Sequence, residues 1–215
     1  MNITSLLVAN RGEIARRVFR ATRSMGIRCI AVYVDSDSDA PFVADADEAV
    51  HLSGGYLDSA GIIEAVMTTG ADAIHPGYGF LAENAGFATA VEAAGLIWVG
   101  PSPTVITTMG DKLEAKSAAA AAGVPILPSS DNPSDAAEVG FPLLVKAAAG
   151  GGGKGMHLVE EADQLDDAVA SAEREAAGAF GDARVFLERW LPRSRHVEIQ
   201  ILGDSHGNLV HLGER

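Results

Sequence analysis

The chain has 215 residues, 47% of them apolar and 21% charged, with a net charge of −13. That length and balance describe a globular chain with one large or two small domains and exclude a disordered one. The acid excess excludes a general affinity for nucleic acid or anionic lipid, since both need a basic surface, but it leaves room for a small anion site.

The first hundred residues alternate short β-rich runs with helical patterns. The start, MNITSLLVANRGEIARR, has its apolar run ahead of its basic residues, the reverse of a secretory leader, and no apolar run is long enough for a membrane helix. Ser5–Ala9 reads as a buried strand. Gly12–Met25 has apolar residues at Ile14, Val18, Ala21 and Met25, a helical spacing, and Gly26 suits its end. Arg28–Val34 is a second strand. It holds Cys29, the single cysteine, which rules out an internal disulfide and reads as a buried, inert thiol in a reducing, cytoplasmic setting. Asp35, Asp37 and Asp39 lack the spacing of a calcium loop and read as a solvated acidic loop. Ala49–Leu52 is a short strand, Ser59–Thr69 a helix and Asp72–His75 a strand. Asn84 caps a helix with Phe87, Val91 and Ala94 inward, and Leu96–Val99 closes the series. Repeated strand–helix–strand units imply a parallel sheet with helices on its faces.

Ser102-Pro103 reads as a cap and first helical residue. Asp111 and Glu114 have capping-box spacing ahead of KLEAKSAAAAAG, a strongly helix-favouring stretch that ends at Gly123. The polar SSDNPSD reads as a loop. Beyond it Pro142–Ala147 and Met156–Val159 read as strands flanking a glycine run, and Glu161–Gly178 as an acidic helix. Arg184–Trp190, His196–Leu202 and Leu209–Leu212 read as further strands; in the second of these Val197, Ile199 and Ile201 alternate with Glu198 and Gln200, as a half-buried face requires. GDSHGN is a hairpin loop.

The most informative stretch runs from Lys146 to Met156, KAAAGGGGKGM. It exposes many backbone N–H groups, lets the chain approach an anion closely and sets lysines beside it, which is the chemistry of a polyphosphate cradle. A P-loop would need glycine where Ala148 stands and serine or threonine where Gly155 stands. Gly150, Gly152 and Gly155 match G-x-G-x-x-G in form, but a strand, not a helix, follows. The reading is therefore a strand–glycine loop–strand flap closing over phosphates. A parallel α/β lobe, a helical bridge and a small lobe with a glycine flap together point to an ATP-grasp enzyme.

The segments LLVANRGEIARRVFRATRSMGI, AIHPGYGFLAENAGFA, GPSPTVITTMGDKLEAK, LLVKAAAGGGGKGM and RHVEIQILGDSHGNLVHLGER strongly resemble biotin carboxylase, in the family's order and over essentially the whole chain. The resemblance implies an α/β fold. A Rossmann-like N-terminal lobe (residues 1–110) leads through a helical bridge (111–130) to an ATP-grasp small lobe with the glycine flap (131–202), followed by the start of an incomplete C-terminal lobe (203–215). It implies a ligase that converts ATP and bicarbonate to carboxyphosphate and carboxylates biotin on a carrier domain, for a carboxyltransferase acting on an acyl-CoA or pyruvate. It implies magnesium with the ATP, homodimers of the full-length enzyme, and no nucleic acid or membrane partner.

Carried over residue by residue, Lys112 and Lys146 resemble the phosphate-contacting lysines, and Gly152 and Gly153 the flap glycines. Glu188, Arg189, Trp190 and Leu191 resemble the hinge that reads the adenine and ribose, and His196 the histidine near the nucleoside. Tyr78 and Glu83 resemble the biotin-proximal pair. Lys146, between apolar Val145 and Ala147, needs an anionic partner on residue chemistry alone. Departures are Ala148-Ala149 at the start of the flap, Lys154 where arginine is common, Arg189 and Trp190 in the hinge, and a shortened stretch near Leu52–Tyr56. The resemblance puts the family's metal-binding glutamates and its arginines for bicarbonate and biotin beyond Arg215, so the expectation is that this chain alone does not turn over. The alternative is a natively short, non-catalytic nucleotide-binding or assembly module.

Overall fold

The computed structural model describes residues 2–150 and 155–214. It divides into two compact units, residues 1–107 and 108–215.

The first unit is built on a five-stranded, wholly parallel sheet. Its strands are β1 (Ser5–Val8), β2 (Arg28–Tyr33), β3 (Glu48–His51), β4 (Ala73–His75) and β5 (Ile97–Trp98), in the order β3-β2-β1-β4-β5. The central strand is apolar throughout because both of its faces are covered. Leu7 and Ala9 face α3 (Ser59–Thr69) and α4 (Ala85–Ala93), through Ile62, Val66, Phe87 and Val91. Leu6 and Val8 point the other way, to Ala15, Val18 and Phe19 of α1 (Gly12–Ser24) and Phe42 of α2 (Pro41–Ala44). The next helix, α5 (Pro103–Gly110), adds Ile106 to the core on the side of α3 and α4. Strand order reverses between β1 and β4, the place where sheets of this kind open a crevice beyond their carboxyl ends. Here that end is fastened. Asn10 Nδ2 donates to the carbonyls of Pro76 and Tyr78, both at 2.8 Å.

The acidic loop after β2 differs from its sequence reading. Asp37 is only 4% exposed, in a short 3-10 turn. Its carboxylate accepts from Arg11 Nε at 2.6 Å, from Arg11 Nη2, and from the Tyr56 hydroxyl at 2.5 Å. Arg11 holds the Asp37 pKa below its ordinary value, while burial and then Asp37 push the Tyr56 hydroxyl up to about 12. An acid-rich run reads as solvated until a distant arginine and tyrosine are brought to it.

The second unit holds a four-stranded antiparallel sheet, made from β6 (Ser129–Ser130), β7 (Leu143–Ala147), β8 (Met156–Val159) and β9 (Val185–Arg189) in the order β6-β9-β7-β8. Leu143, Val145, Val159 and Leu187 pack on Ala136 and Val139 of α7 (Ala136–Val139) and on Ala172 of α8 (Leu165–Phe180). The segment read as a plain polar loop thus contains β6 and leads into α7. Ser130 Oγ donates to Asp135 at 2.6 Å and Asn132 accepts from Ser134 N, which turns the chain into the helix. The acidic helix starts as a 3-10 turn under a Glu161/Gln164 capping box and runs past Gly178 to Gly181, whose left-handed φ of 70° ends it.

The last hairpin is β10 (Ile199–Gly203) with β11 (Leu209–Glu214), a two-stranded sheet. The expected strand from His196 begins at Ile199, and the expected half-buried face is not found. Ile199 and Ile201 are exposed, as are Leu202 and Val210. Among the described residues no helix is long and apolar enough to cross a membrane.

One carboxylate ties the starts of β1 and β4. Asp72 Oδ2 accepts from Thr4 N and Oγ1 and from Ser5 N and Oγ, at 2.6–3.0 Å. Those bonds, the Thr4 hydroxyl foremost, draw its pKa down to about 2. Its contribution to stability is therefore complete above the unfolded value of about 3.9 and drains as pH falls through about 2. Asp72→Asn is expected to be less stable than the parent at pH 7 and to lose less between pH 5 and 2. Urea midpoints across that range measure both, and parallel pH profiles would refute the assignment.

Candidate functional site

The polar centre of the second unit follows from strand alternation. Val145 and Leu187 face the helices, so Lys146, Phe186 and Glu188 face the other way. Lys146 lies opposite Phe186, and Glu188 opposite Leu144, so Lys146 and Glu188 are diagonal neighbours across the β7–β9 pair. Over this face runs α6 (Lys112–Ala121), where Lys112 and Lys116 are one helical turn apart.

Glu188 is the centre. Oε1 accepts from Lys116 Nζ and Oε2 from Lys146 Nζ, both at 2.7 Å, and its side chain is 14% exposed. Burial raises its pKa, but the two ammonium groups outweigh burial and leave it below the ordinary glutamate value. Lys116 also donates to Leu127 O at 3.2 Å. Lys146 lies 5.7 Å from the centre of the Phe186 ring. The anionic partner that Lys146 required is thus Glu188.

Lys112 closes on the root of the glycine loop. Its Nζ donates to the carbonyls of Ala147 (2.9 Å), Ala149 (3.2 Å) and Gly150 (2.6 Å), and its backbone N–H to Ala148 O at 3.0 Å. Burial, then the charge of Lys146, depresses its pKa. Asp111 caps α6 by accepting from Leu113 and Glu114 N–H, and Arg184 Nη2 braces it at 2.8 Å. Ala148 N donates to Arg184 O, which fixes the other side of the same turn.

The loop returns as expected. The residue after Gly155 begins β8, antiparallel to β7, with Lys146 opposite Met156. Gly152 and Gly153, assigned to the flap by sequence, lie outside the described residues, as does Lys154. Gly155 N donates to Glu175 Oε2 at 3.2 Å, a contact from α8.

The other predicted residues divide. Arg189 Nη1 reaches toward Val139 O at 3.5 Å and not toward Glu188. Trp190 N donates to Pro142 O, and Leu191 is exposed. His196 is exposed, 3.2 Å from Glu198 Oε1, and shares no hydrogen bond with the lysine–glutamate cluster among the described residues. Tyr78 and Glu83 belong to the first unit. Tyr78 is 61% exposed and its hydroxyl donates to Glu13 Oε1 at 2.5 Å; Glu83 is exposed in the turn before α4. A cavity of about 680 Å³ in the first unit is lined by Leu6, Ile14, Val18 and Met25 with Arg17 and Arg20, and contains none of the predicted residues.

Lys116 was absent from the sequence-predicted set. Its spacing from Lys112 was readable, but its partner was not, because only the register of β7 against β9 brings Glu188 beneath it.

The profile of the biotin carboxylase N-terminal domain matches residues 2–106, and that of the carbamoyl-phosphate synthase L chain ATP-binding domain matches residues 111–215. Both halves of the chain thus match domains of biotin carboxylases, and the whole chain is 44% identical to the biotin carboxylase of Haemophilus influenzae, of which it covers 51%. Over 99% of its length it is 49% identical to the biotin-dependent acyl-coenzyme A carboxylase alpha3 subunit of Mycobacterium leprae, covering 38% of that protein. It superposes with a TM-score of 0.95 and 42% identity on biotin carboxylase from Campylobacter jejuni in its beta-gamma-ATP complex, covering 99% of this chain and 51% of that one. A second match, also at TM-score 0.95 and 42% identity, is the biotin carboxylase domain of Hydrogenobacter thermophilus 2-oxoglutarate carboxylase with MgADP, ADP and bicarbonate; it covers all of this chain and 50% of that one. The chain therefore spans about half the length of such family members, or less. Its fold is the mixed α/β architecture of their N-terminal portions, with the parallel sheet followed by the ATP-grasp-like lobe.

Gly150 has a left-handed φ of 73°, and a Cβ there would sit 2.1 Å from the Phe180 ring. Gly150→Ala is expected to cost about 1–3 kcal/mol of stability in urea unfolding. In a Phe180→Ala background the same substitution should cost less, and equal costs would mean that the ring does not constrain the loop.

Proposed function

We propose that the chain is the N-terminal, nucleotide-binding portion of a biotin carboxylase. The observation that carries this is the antiparallel β7–β8 pair with its glycine-rich connection, Lys146 on its inner strand and Lys112 over its root, in a chain with such relatives. In this reading residues 1–110 form the family's N-terminal domain, 111–130 the bridge, 131–202 the ATP-grasp small lobe and 203–215 the start of the next.

The chemistry follows from charge. Bicarbonate is a poor electrophile, and phosphorylation supplies a leaving group. A bicarbonate oxygen attacks the γ-phosphorus of ATP, the β–γ bridging bond breaks, and ADP departs, leaving carboxyphosphate. Carboxyphosphate then gives up its carbon, as CO2 or carboxylate, to N1′ of biotin on a carrier domain; the C–O bond to phosphate breaks, and the N1′ proton leaves with the released phosphate. Positioning and neutralising the spreading phosphate charge is the protein's main task. Lys112, Lys146, Gly152 and Gly153 would hold the phosphates; Glu188, Arg189, Trp190, Leu191 and His196 the nucleoside; Tyr78 and Glu83 the biotin side.

Among the described residues no group of three or more His, Cys, Asp or Glu side chains is arranged to hold a cation. The charge neutralisation that these residues supply is that of the lysines; magnesium bound with the ATP would add its own charge on the phosphates. A carboxyltransferase, an acyl-CoA or pyruvate, a homodimeric full-length enzyme and a cytoplasmic setting complete the reading. The single cysteine, buried, fits a reducing compartment.

Lys146→Ala is expected to weaken ATP binding by about 1.5–3 kcal/mol, the value of a charge-assisted contact. Titration calorimetry measures it; unchanged affinity in the variant would remove Lys146 from the phosphate contacts, and no binding by the parent chain would reject the nucleotide reading. The 215-residue chain alone is expected not to carboxylate free biotin with ATP and bicarbonate, and steady turnover would refute that half of the proposal.

A further inference from the structure

The family reading gives no role to Lys116, yet Lys116 is the better-anchored of the two cations on Glu188. Its ammonium has two acceptors, Glu188 Oε1 at 2.7 Å and Leu127 O at 3.2 Å, and its side chain is 18% exposed. Lys146 has a single hydrogen-bonded acceptor among the described residues, Glu188 Oε2 at 2.7 Å, so among those residues two of its three donors have no acceptor. Lys146 is also the cation whose charge is felt by Lys112 at the root of the glycine loop.

We propose that Lys116 is a positioning residue for the nucleotide site: it retains the Glu188 carboxylate and so releases the Lys146 ammonium to an incoming polyphosphate. This rests on the nucleotide reading given above.

The argument is one of stranded charge. A polyphosphate that draws Lys146 away from Oε2 removes one of the carboxylate's two partners. Glu188 is largely buried, and a buried carboxylate without a cation is strongly destabilised. Lys116 stays on Oε1 and removes that penalty. Without it, phosphate must compete with Glu188 for Lys146, and winning that competition leaves the carboxylate alone. The influence of Lys116 therefore passes through Glu188. It should vanish when Glu188 is neutral, whereas a cation acting on the phosphates through space would keep its influence.

The test compares four forms of the 215-residue chain, namely parent, Lys116→Met, Glu188→Gln and the double variant, by calorimetry with ATP and with adenosine. Lys116→Met should weaken ATP about tenfold or more and adenosine less than about twofold. In the Glu188→Gln background the same change should alter ATP affinity less than about twofold, and Lys116→Arg should restore most of the parent affinity. Lys116→Gln, which keeps a donor without the charge, replaces Met if the Met variant does not fold, and the same inequalities apply. In ligand-free protein the 13C-carboxyl titration of Glu188 should move to higher pH in Lys116→Met. Equal losses for ATP and adenosine, an undiminished ATP loss in the Glu188→Gln background, or an unmoved Glu188 titration would overturn the proposal. A parent that binds ATP beside a silent Lys116→Met defeats this inference alone; a parent that binds no ATP defeats the nucleotide reading and this inference with it.

Discussion

A single buried carboxylate organises the second unit. Glu188 sits largely buried near the end of β9, where a charge would be costly without compensation, and two lysines from different elements converge on its two oxygens. Lys146 reaches it because β7 and β9 pair in a register that makes the two residues diagonal neighbours. Lys116 reaches it because α6 runs over the same face, with Asp111 fixing where the helix begins. A one-residue slip of β9 would turn Glu188 into the apolar layer beneath α8 and strand all three charges. The ion triad thus specifies register and helix placement together. The cluster remains net positive at a point where the chain as a whole is strongly negative.

The first unit fastens its loops by the same logic with different groups. Its sheet is held by apolar burial on both faces, which fixes strand order but leaves the loops beyond the strand ends to polar contacts. Three residues around the start of α1 supply them. Asn10 holds two carbonyls of the turn after β4, Arg11 holds the buried Asp37 after β2, and Glu13 accepts from Tyr78. Asp37 in turn holds Tyr56, whose ring packs 5.2 Å from that of Phe80. The exposed Tyr78 and Phe80 are therefore presented on a braced turn, a precondition for any role they have in recognition.

What the sequence disclosed, and what it hid, follows from the range of the interactions. Ser59–Thr69 and Met156–Val159 were readable to the residue, because helical periodicity and a glycine-bounded apolar run are local signals. The strand-loop-strand form of the glycine stretch was readable for the same reason, as was the need of Lys146 for an anion. The identity of that anion was not, since it depends on a pairing 42 residues away. Asp37 misled for the same cause: its partners Arg11 and Tyr56 lie 26 and 19 residues distant. β6 was missed because two serines carry no β signal, and only pairing with Leu187 and Glu188 makes them a strand. The alternation in β10 was read correctly as a pattern but not as burial, because burial is a property of what lies against a strand.

In the proposed nucleotide site Lys112 is set for an anion in advance. Its ammonium uses all three donors on the carbonyls of Ala147, Ala149 and Gly150, so it is already partly desolvated and already aimed at the loop. An anion arriving there would not meet the full cost of stripping water from a lysine. It would exchange neutral carbonyl acceptors for anionic ones, adding the attraction of opposite charges to bonds the ammonium already makes. Each exchange also frees a carbonyl at the root of the loop, so anion binding and loop geometry are coupled through one side chain. Lys146 is coupled in the same way to Glu188; burial first and the charge of Lys146 second hold the Lys112 pKa down, and a bound anion would relieve the second of these. The two lysines differ in what they surrender: Lys112 gives up neutral carbonyls that water or N–H groups can satisfy, whereas Lys146 gives up a buried carboxylate. That asymmetry makes the second cation on Glu188 a requirement of the arrangement rather than an ornament on it.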